Sequence, residues 1–120
     1  MRRSVITTFC VIVVMATQLV SAQGSKLDFE LLNQTTLTIA ELYVSPAADN
    51  EWGEDILGKD VLPNGQSVEI VFSPKAQECM WDLKIVDEDD DDVIWTKLDL
   101  CKASHITLQY RNGQPTAIVK

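Results

Sequence analysis

The sequence predicts an all-β fold, an antiparallel β-sandwich of about seven strands with one disulfide. Three observations carry this prediction. Apolar residues recur at every second position through most of the chain after residue 26, turn signals separate these stretches, and two cysteines remain once the N-terminal segment is set aside. Alternating stretches at this spacing are typical of two packed sheets.

Residues 1–22 have the features of a secretory signal peptide. Arg2 and Arg3 precede an apolar stretch, and Val20-Ser21-Ala22 places small residues where signal peptidase cleaves. A membrane anchor is the alternative, but polar residues interrupt the stretch and it falls short of the roughly 20 apolar residues that a span requires. We therefore expect cleavage after Ala22, a single domain over residues 23–120 with no membrane span, and a periplasmic or extracellular location.

Cleavage would also change the charge and the cysteine count. The formal net charge would move from −8 to −10 because two arginines are lost, and so acidic a domain is not expected to bind nucleic acid. Cys10 would leave with the signal, while Cys79 and Cys101 would remain. In a small exported domain this pair predicts a disulfide, which stabilises the fold by about 3 kcal/mol in the chain-entropy model.

The predicted strands follow one another along the chain. Four of them alternate apolar and polar residues, and their apolar positions are Leu27, Phe29 and Leu31; Val68, Ile70 and Phe72; Trp81, Leu83 and Ile85; and Ile106, Leu108 and Tyr110. A further strand from Leu37 to Ser45 changes its apolar phase after Ile39, which predicts a β-bulge. Asn112-Gly113 predicts a tight hairpin.

Residues 46–59 form the one long predicted connection. Their Trp52-Gly53 and Leu57-Gly58 pairs indicate a folded loop or a single helical turn. Long loops in compact domains are often functional, so Trp52 is the candidate partner-binding residue. Trp81 shares the phase of its strand and is expected in the core. Trp95 is undecided because its neighbour Ile94 is also apolar.

Six consecutive carboxylates at positions 87–92 separate two apolar stretches. Their mutual repulsion favours a counter-ion, and calcium suits an irregular set of oxygens. The EF-hand spacing does not fit, because Asp92 stands where its glycine should be and Leu98 where its bidentate glutamate should be. If residues 60–73 cross the sandwich once, the long loop meets this run at one end. The predicted calcium ligands are Asp87, Asp89, Asp91, Asp92 and Asp55.

Two alternatives stay open for this acidic run. It could be a solvated hairpin tip, which is the usual role of a charge run. The long loop would also lie elsewhere if residues 60–62 form a strand of their own. In either arrangement Cys79 and Cys101 are expected at the opposite end of the sandwich from residues 87–92.

Signatures of catalysis are scarce in the sequence. His105 is the only histidine and lies on the polar face of its predicted strand, and no nucleophile elbow, zinc-binding pair or phosphate loop occurs. Carboxylates could hydrolyse a glycosidic bond only in a pocket that separates their pKa values. We therefore expect a non-catalytic protein, with a carboxylate-based hydrolase as the weakest alternative. Asn33-Gln34-Thr35 matches the N-glycosylation pattern.

Several short motifs occur together over most of residues 29–108. They are Leu42-Tyr43-Val44-Ser45-Pro46, Trp52-Gly53-Glu54-Asp55 followed by Leu57-Gly58, Val61-Leu62-Pro63-Asn64-Gly65, Cys79-Met80-Trp81-Asp82-Leu83, Val86-Asp87-Glu88-Asp89 and the stretch from Leu98 to Cys101. This set resembles a family of small exported bacterial β-rich proteins without an assigned function. The resemblance implies a single exported domain and no catalytic activity. Relatives carry a glycine inside the acidic turn where this chain has Asp90.

The functional expectation is an exported, non-catalytic β-sandwich module. It would bind calcium through its acidic loop end and mediate contact with a protein or cell-surface partner. The alternative is a calcium-independent envelope interaction protein or inhibitor that uses residues 46–59.

Overall fold

A computed structural model describes residues 25–120, so the predicted signal peptide lies outside the described residues. This part of the chain contains seven strands and a short 3-10 turn at Leu100–Lys102. The strands are β1 (Phe29–Gln34), β2 (Ile39–Pro46), β3 (Ser67–Ile70), β4 (Met80–Asp87), β5 (Asp92–Asp99), β6 (His105–Arg111) and β7 (Gln114–Val119). The predicted all-β class and the strand number are confirmed.

The strands form two sheets, with orders β3-β1-β6-β7 and β2-β4-β5. Four of the five strand pairings are antiparallel, as predicted. The exception is β1 with β6, which run parallel with Leu31 opposite Ile106. Parallel neighbours need a long crossover, and here the intervening chain builds β3 and the whole second sheet before β6 returns beside β1.

The inner faces of both sheets form one core. The strict alternation of β4 places Trp81, Leu83 and Ile85 inside, as the period of two predicts. Trp81 packs edge-on against Phe72, with ring centroids 4.9 Å apart. Trp95, undecided from sequence, is 3% exposed and donates its indole N–H to Thr116 O at 2.7 Å. Strand β3 ends at Ile70, two residues before Phe72, the last apolar position of the predicted strand.

The bulge and the hairpin predicted from sequence are both present. Strand β2 shifts its register against β4 between Ile39 and Glu41. The two residues between β6 and β7, Asn112 and Gly113, have φ angles of 52° and 75°. Two consecutive positive φ angles define the type I′ turn that matches the twist of paired strands.

Asn33 is a buried hub rather than a glycan acceptor. Its side chain is fully buried, and Nδ2 donates to Leu37 O and Leu62 O, both at 2.9 Å. Its Oδ1 accepts from the backbone N–H and the hydroxyl of Thr35. Because all of these bonds are internal, a glycan on Nδ2 would disrupt the fold. The glycosylation motif is therefore a local turn signature.

The long connection after β2 starts at the end of the sheet where β4 begins, next to Cys79. It then runs back along the outer edge of β2. Pro46 lies opposite Trp81, whereas Ile39 lies opposite Asp87. Ile56 then donates its N–H to Leu42 O at 2.7 Å, and Leu62 forms a bridge with Ile39. This corresponds to the alternative in which residues 60–62 pair separately, so the acidic part of the loop does not share an end with residues 87–92.

Candidate functional site: the acidic turn and the aromatic loop

The acidic run forms the hairpin between β4 and β5. Asp90 N–H donates to Asp87 O at 3.1 Å, Asp87 N–H donates to Asp91 O at 2.9 Å, and Asp90 has a φ of 66°. This is a tight turn followed by one left-handed residue. The left-handed conformation favours glycine, although aspartate tolerates it better than most residues. The glycine expected from the family resemblance would occupy this strained position.

Asp87 organises the turn with its side chain. It is 8% exposed, and its Oδ1 accepts hydrogen bonds from Asp89 N at 2.8 Å and Asp91 N at 3.0 Å. An aspartate that bonds the backbone two residues further on is a common turn-forming device. Charge-assisted bonds of this kind are stronger than neutral ones. Both contacts use Oδ1, so Oδ2 is the oxygen that remains for another ligand.

Four predicted calcium ligands line one open groove of about 460 Å³. The lining residues are Asp87, Asp89, Asp91, Asp92, Leu37, Val93 and Tyr110. Within residues 25–120, the one contact below 4 Å between a basic and an acidic side chain joins His105 to Glu30, so no lysine or arginine in that range lies within 4 Å of these carboxylate oxygens. No three of these residues in that range bring a carboxylate oxygen each to within 4.8 Å of one another. The carboxylates share a groove, therefore, without converging on a point.

Asp55, the fifth predicted ligand, lies elsewhere. Its Oδ1 accepts hydrogen bonds from Leu42 N at 2.9 Å and Leu57 N at 3.0 Å. Leu42 is three residues along β2 from Ile39, the residue paired with Asp87, which corresponds to about 10 Å. The structure thus corrects the predicted ligand set, because Asp55 anchors the long loop to β2 instead of facing the groove.

The disulfide joins Cys79 to Cys101 at the far end of the β4–β5 hairpin, with the Cα atoms 5.0 Å apart. This confirms the predicted pairing and its position opposite the acidic turn. Asp99 lies beside it, and its Oδ1 accepts from Cys101 N at 3.1 Å. These three side chains are near enough to hold a metal ion, but sulfurs bonded to each other are not available as thiolate ligands. The cluster is therefore structural.

Trp52 lies on the outer face of the β2-β4-β5 sheet. Lys84 Nζ is 5.2 Å from the Trp52 ring centroid and 4.9 Å from that of Tyr43, so one ammonium contacts two aromatic rings. Tyr43 donates its hydroxyl to Glu41 Oε1 at 2.5 Å. This bond, with smaller contributions from burial and nearby carboxylates, raises the pKa of Tyr43 to about 12. Trp52 is half-buried in this arrangement.

A polar cluster on the opposite outer face was not singled out from sequence. His105 Nε2 lies 3.3 Å from Glu30 Oε1, and Ser67 Oγ donates to Glu30 Oε2 at 3.1 Å. In a nucleophilic triad the histidine stands between the serine and the carboxylate; here the carboxylate stands between them, so the imidazole cannot take the Ser67 proton directly. The alternation in sequence predicted correctly that His105 lies on the polar face of its strand. Its contact with Glu30 depends on the parallel β1–β6 pairing, which no local sequence pattern indicates.

The comparisons with known proteins bear on the fold alone. No family model and no curated protein match the chain. It is similar to the NMR structure of a protein from Eubacterium rectale, with a TM-score of 0.53 and 10% sequence identity over 81% of this chain and 88% of that chain. The family resemblance of the sequence motifs stays a prediction. Among residues 25–120, no helix has the length and apolar character needed to cross a membrane.

Proposed function

We propose that the protein is an exported, non-catalytic binding module that takes up Ca²⁺ at its acidic turn and contacts a protein or cell-surface partner through that end. The observation that carries this proposal is the groove lined by Asp87, Asp89, Asp91 and Asp92, with no cationic side chain of residues 25–120 paired to them. Uncompensated like charges at close range destabilise the ion-free hairpin. A divalent cation would replace that repulsion with attraction.

The hairpin suits a hard cation with flexible coordination. Asp87 is held by its bonds to the turn backbone, whereas Asp89, Asp91 and Asp92 are exposed and can rotate onto an ion. Calcium accepts six to eight oxygens in irregular geometry and completes its shell with backbone carbonyls and water. Because three of the four side chains must be ordered on binding, we expect weak affinity, in the millimolar range of extracellular calcium modules.

Thermal unfolding with calcium and then with chelator tests this proposal. A ligand that binds only the folded state raises the melting temperature. At about five times its Kd, calcium would add about 1 kcal/mol, which corresponds to about 4–8 °C for a domain of this size. Absence of any rise in millimolar calcium would contradict the proposal.

A pair of matched variants separates binding from a general charge effect. Asp89→Asn with Asp91→Asn should abolish the calcium-dependent rise. The control is Glu54→Gln with Asp60→Asn, which changes the net charge equally at exposed positions outside the groove and should keep the rise. If both double variants respond alike, the ion is not held by the acidic turn.

Tyr110 offers a site-specific readout because it lines the same groove. Terbium replaces calcium in oxygen sites, and a nearby aromatic ring can sensitise its luminescence. The wild-type protein should sensitise bound terbium and lose the signal when calcium competes. Tyr110→Phe should reduce the luminescence while leaving the calcium-dependent melting shift intact. A signal unaffected by Asp89→Asn with Asp91→Asn would assign the terbium to another site.

A second candidate function is a calcium-independent contact through residues 46–59. The observation that favours it is the aromatic surface of Trp52 and Tyr43 around Lys84 on the outer face of the three-stranded sheet. Aromatic side chains with a polar neighbour are enriched at protein interfaces. When a cell-envelope fraction is passed over the immobilised wild-type protein in chelator, a component should be retained. The immobilised Trp52→Ala variant should not retain it. Retention that requires calcium would favour the acidic turn instead.

A further inference from the structure

Two of the four asparagines, Asn64 and Asn112, are followed directly by glycine. Glycine has no side chain that would hinder its backbone nitrogen, so this nitrogen can attack the side-chain carbonyl carbon of the preceding asparagine when the local backbone opens. Asn33 and Asn50 precede larger residues, whose side chains hinder the approach. The sequence therefore contains two chemically equivalent sites for spontaneous deamidation, and the fold decides which of them can react.

The fold protects the site at Asn64. The attacking nitrogen there would be that of Gly65, and its N–H donates to Asn33 O at 2.6 Å. The amide to be attacked is held as well, because Asn64 Oδ1 accepts from Thr36 N–H at 2.8 Å. Asn33 is the buried hub described above. Asn64 can therefore react only after two hydrogen bonds to another segment of the chain have broken.

The site at Asn112 has no such protection at its attacking nitrogen. Asn112 and Gly113 are exposed and form the two-residue tip of the β6–β7 hairpin. Among the backbone hydrogen bonds of residues 25–120 outside the strands, none uses Gly113 N–H. The pairing that closes the hairpin belongs to the flanking residues Arg111 and Gln114. The tip of a hairpin can open without unfolding the rest of a domain.

We propose that Asn112 is a self-modification site of the folded protein, at which the Gly113 nitrogen converts the asparagine to isoaspartate or aspartate. The Gly113 nitrogen bonds to Asn112 Cγ while the Cγ–Nδ2 bond breaks, and Nδ2 leaves as ammonia with the Gly113 amide proton. Water then opens the resulting succinimide ring. Opening at the main-chain carbonyl carbon gives isoaspartate, and opening at Cγ gives aspartate. The reaction consumes one water, releases one ammonia and requires no redox partner.

The two products affect the hairpin differently. Aspartate keeps the backbone and tolerates a positive φ, as asparagine does. Isoaspartate adds one carbon atom to the main chain between β6 and β7, so the turn no longer matches the pairing of Arg111 with Gln114. Tyr110 pairs with Pro115 next to this turn and lines the acidic groove. Isoaspartate at Asn112 therefore loosens the side of the groove that Tyr110 forms.

The experiment follows both sites in protein expressed as the full chain in an exporting host and purified after export. The protein is incubated at mildly alkaline pH, either folded or in denaturing urea, and is then digested at acidic pH, where the reaction stops, for peptide mass spectrometry. In the folded protein Asn112 should convert at least about tenfold faster than Asn64, because two hydrogen bonds protect Asn64. In urea the two sites should convert at similar rates. Equal rates in the folded protein, or conversion of Asn112 only in urea, would overturn the proposal.

A pair of matched variants tests the chemistry. Asn112→Gln keeps the amide but moves it one methylene further from the Gly113 nitrogen, so conversion at this position should fall sharply. Asn64→Gln is the control and should leave the conversion of Asn112 unchanged. If Asn112→Gln converts as fast as the wild-type residue, the Gly113 nitrogen is not the attacking group.

A third variant tests the effect on the hairpin. Asn112→Asp adds the charge without lengthening the main chain, so its Gln114 amide should exchange as slowly as in the unmodified protein. The isoaspartyl fraction of aged protein, separated by chromatography, should exchange this amide faster. Equal exchange at Gln114 in the isoaspartyl fraction and in Asn112→Asp would refute the assigned loosening of the turn.

Discussion

Asp87 can be tested separately as the organiser of the turn and as a ligand. Asp87→Ala removes the acceptor of two backbone N–H groups, those of Asp89 and Asp91. A hydrogen bond to a charged group contributes about 1.5–3 kcal/mol, and water can partly satisfy the freed donors at a hairpin tip. We therefore expect the free energy of unfolding to fall by about 2–4 kcal/mol, a large share of the 5–15 kcal/mol typical of a domain.

Asp87→Asn keeps an oxygen in the same place and removes the charge. The two turn bonds persist at roughly half their strength, and the repulsion within the run decreases, so the loss should be about 1 kcal/mol. The measurement is urea unfolding followed by tryptophan fluorescence, first in chelator and then in calcium. Asp92→Asn is the control, because Asp92 lines the groove and is exposed; it should barely change stability in chelator. If Asp87→Asn and Asp87→Ala are equally destabilising in chelator, the geometric role assigned to Oδ1 is refuted.

Three further predictions concern single residues. Asn33→Ala should lower the free energy of unfolding by about 3 kcal/mol, because buried partners at Leu37, Leu62 and Thr35 lose their bonds. Asn64→Ala, which removes one exposed acceptor, should cost less than about 1 kcal/mol, and equal urea midpoints would contradict the difference. Asp90→Gly should stabilise by about 0.5–1 kcal/mol by relieving a φ of 66°; a loss in urea unfolding would show that the strain is negligible. Because the folded pKa of Tyr43 is raised from 10 to about 12, its stabilising contribution is present below pH 10 and is lost as the pH rises towards 12. An absorbance titration of the phenolate should show Glu41→Ala, which removes the acceptor and the charge together, returning the midpoint towards 10, and an unchanged midpoint would exclude Glu41 as the cause.

The parts of the site that sequence predicted are those built from neighbouring residues. Residues 87–92 form one hairpin, so their common groove follows from their proximity in sequence and from the tight turn. The placement of Asp55 could not be deduced in the same way, because it depends on the path of residues 46–62. That path turns back along β2 to satisfy the Leu42 backbone N–H and C=O, and its direction is set by edge hydrogen bonding instead of local pattern.

The sequence by itself determined the all-β class, the inward-facing residues of four strands, the β2 bulge, the β6–β7 turn and the disulfide. The strands and their faces follow from the alternation of apolar residues, and the bulge and the turn follow from local backbone preference. The disulfide follows because only two cysteines remain after the predicted signal peptide is removed. Only the tertiary structure decided the parallel β1–β6 pairing, the burial of Asn33 and the contact of Trp95 with β7. These features arise from contacts between segments far apart in the chain, and such contacts are chosen by the packing of two whole sheets and by the need to pair every buried polar group.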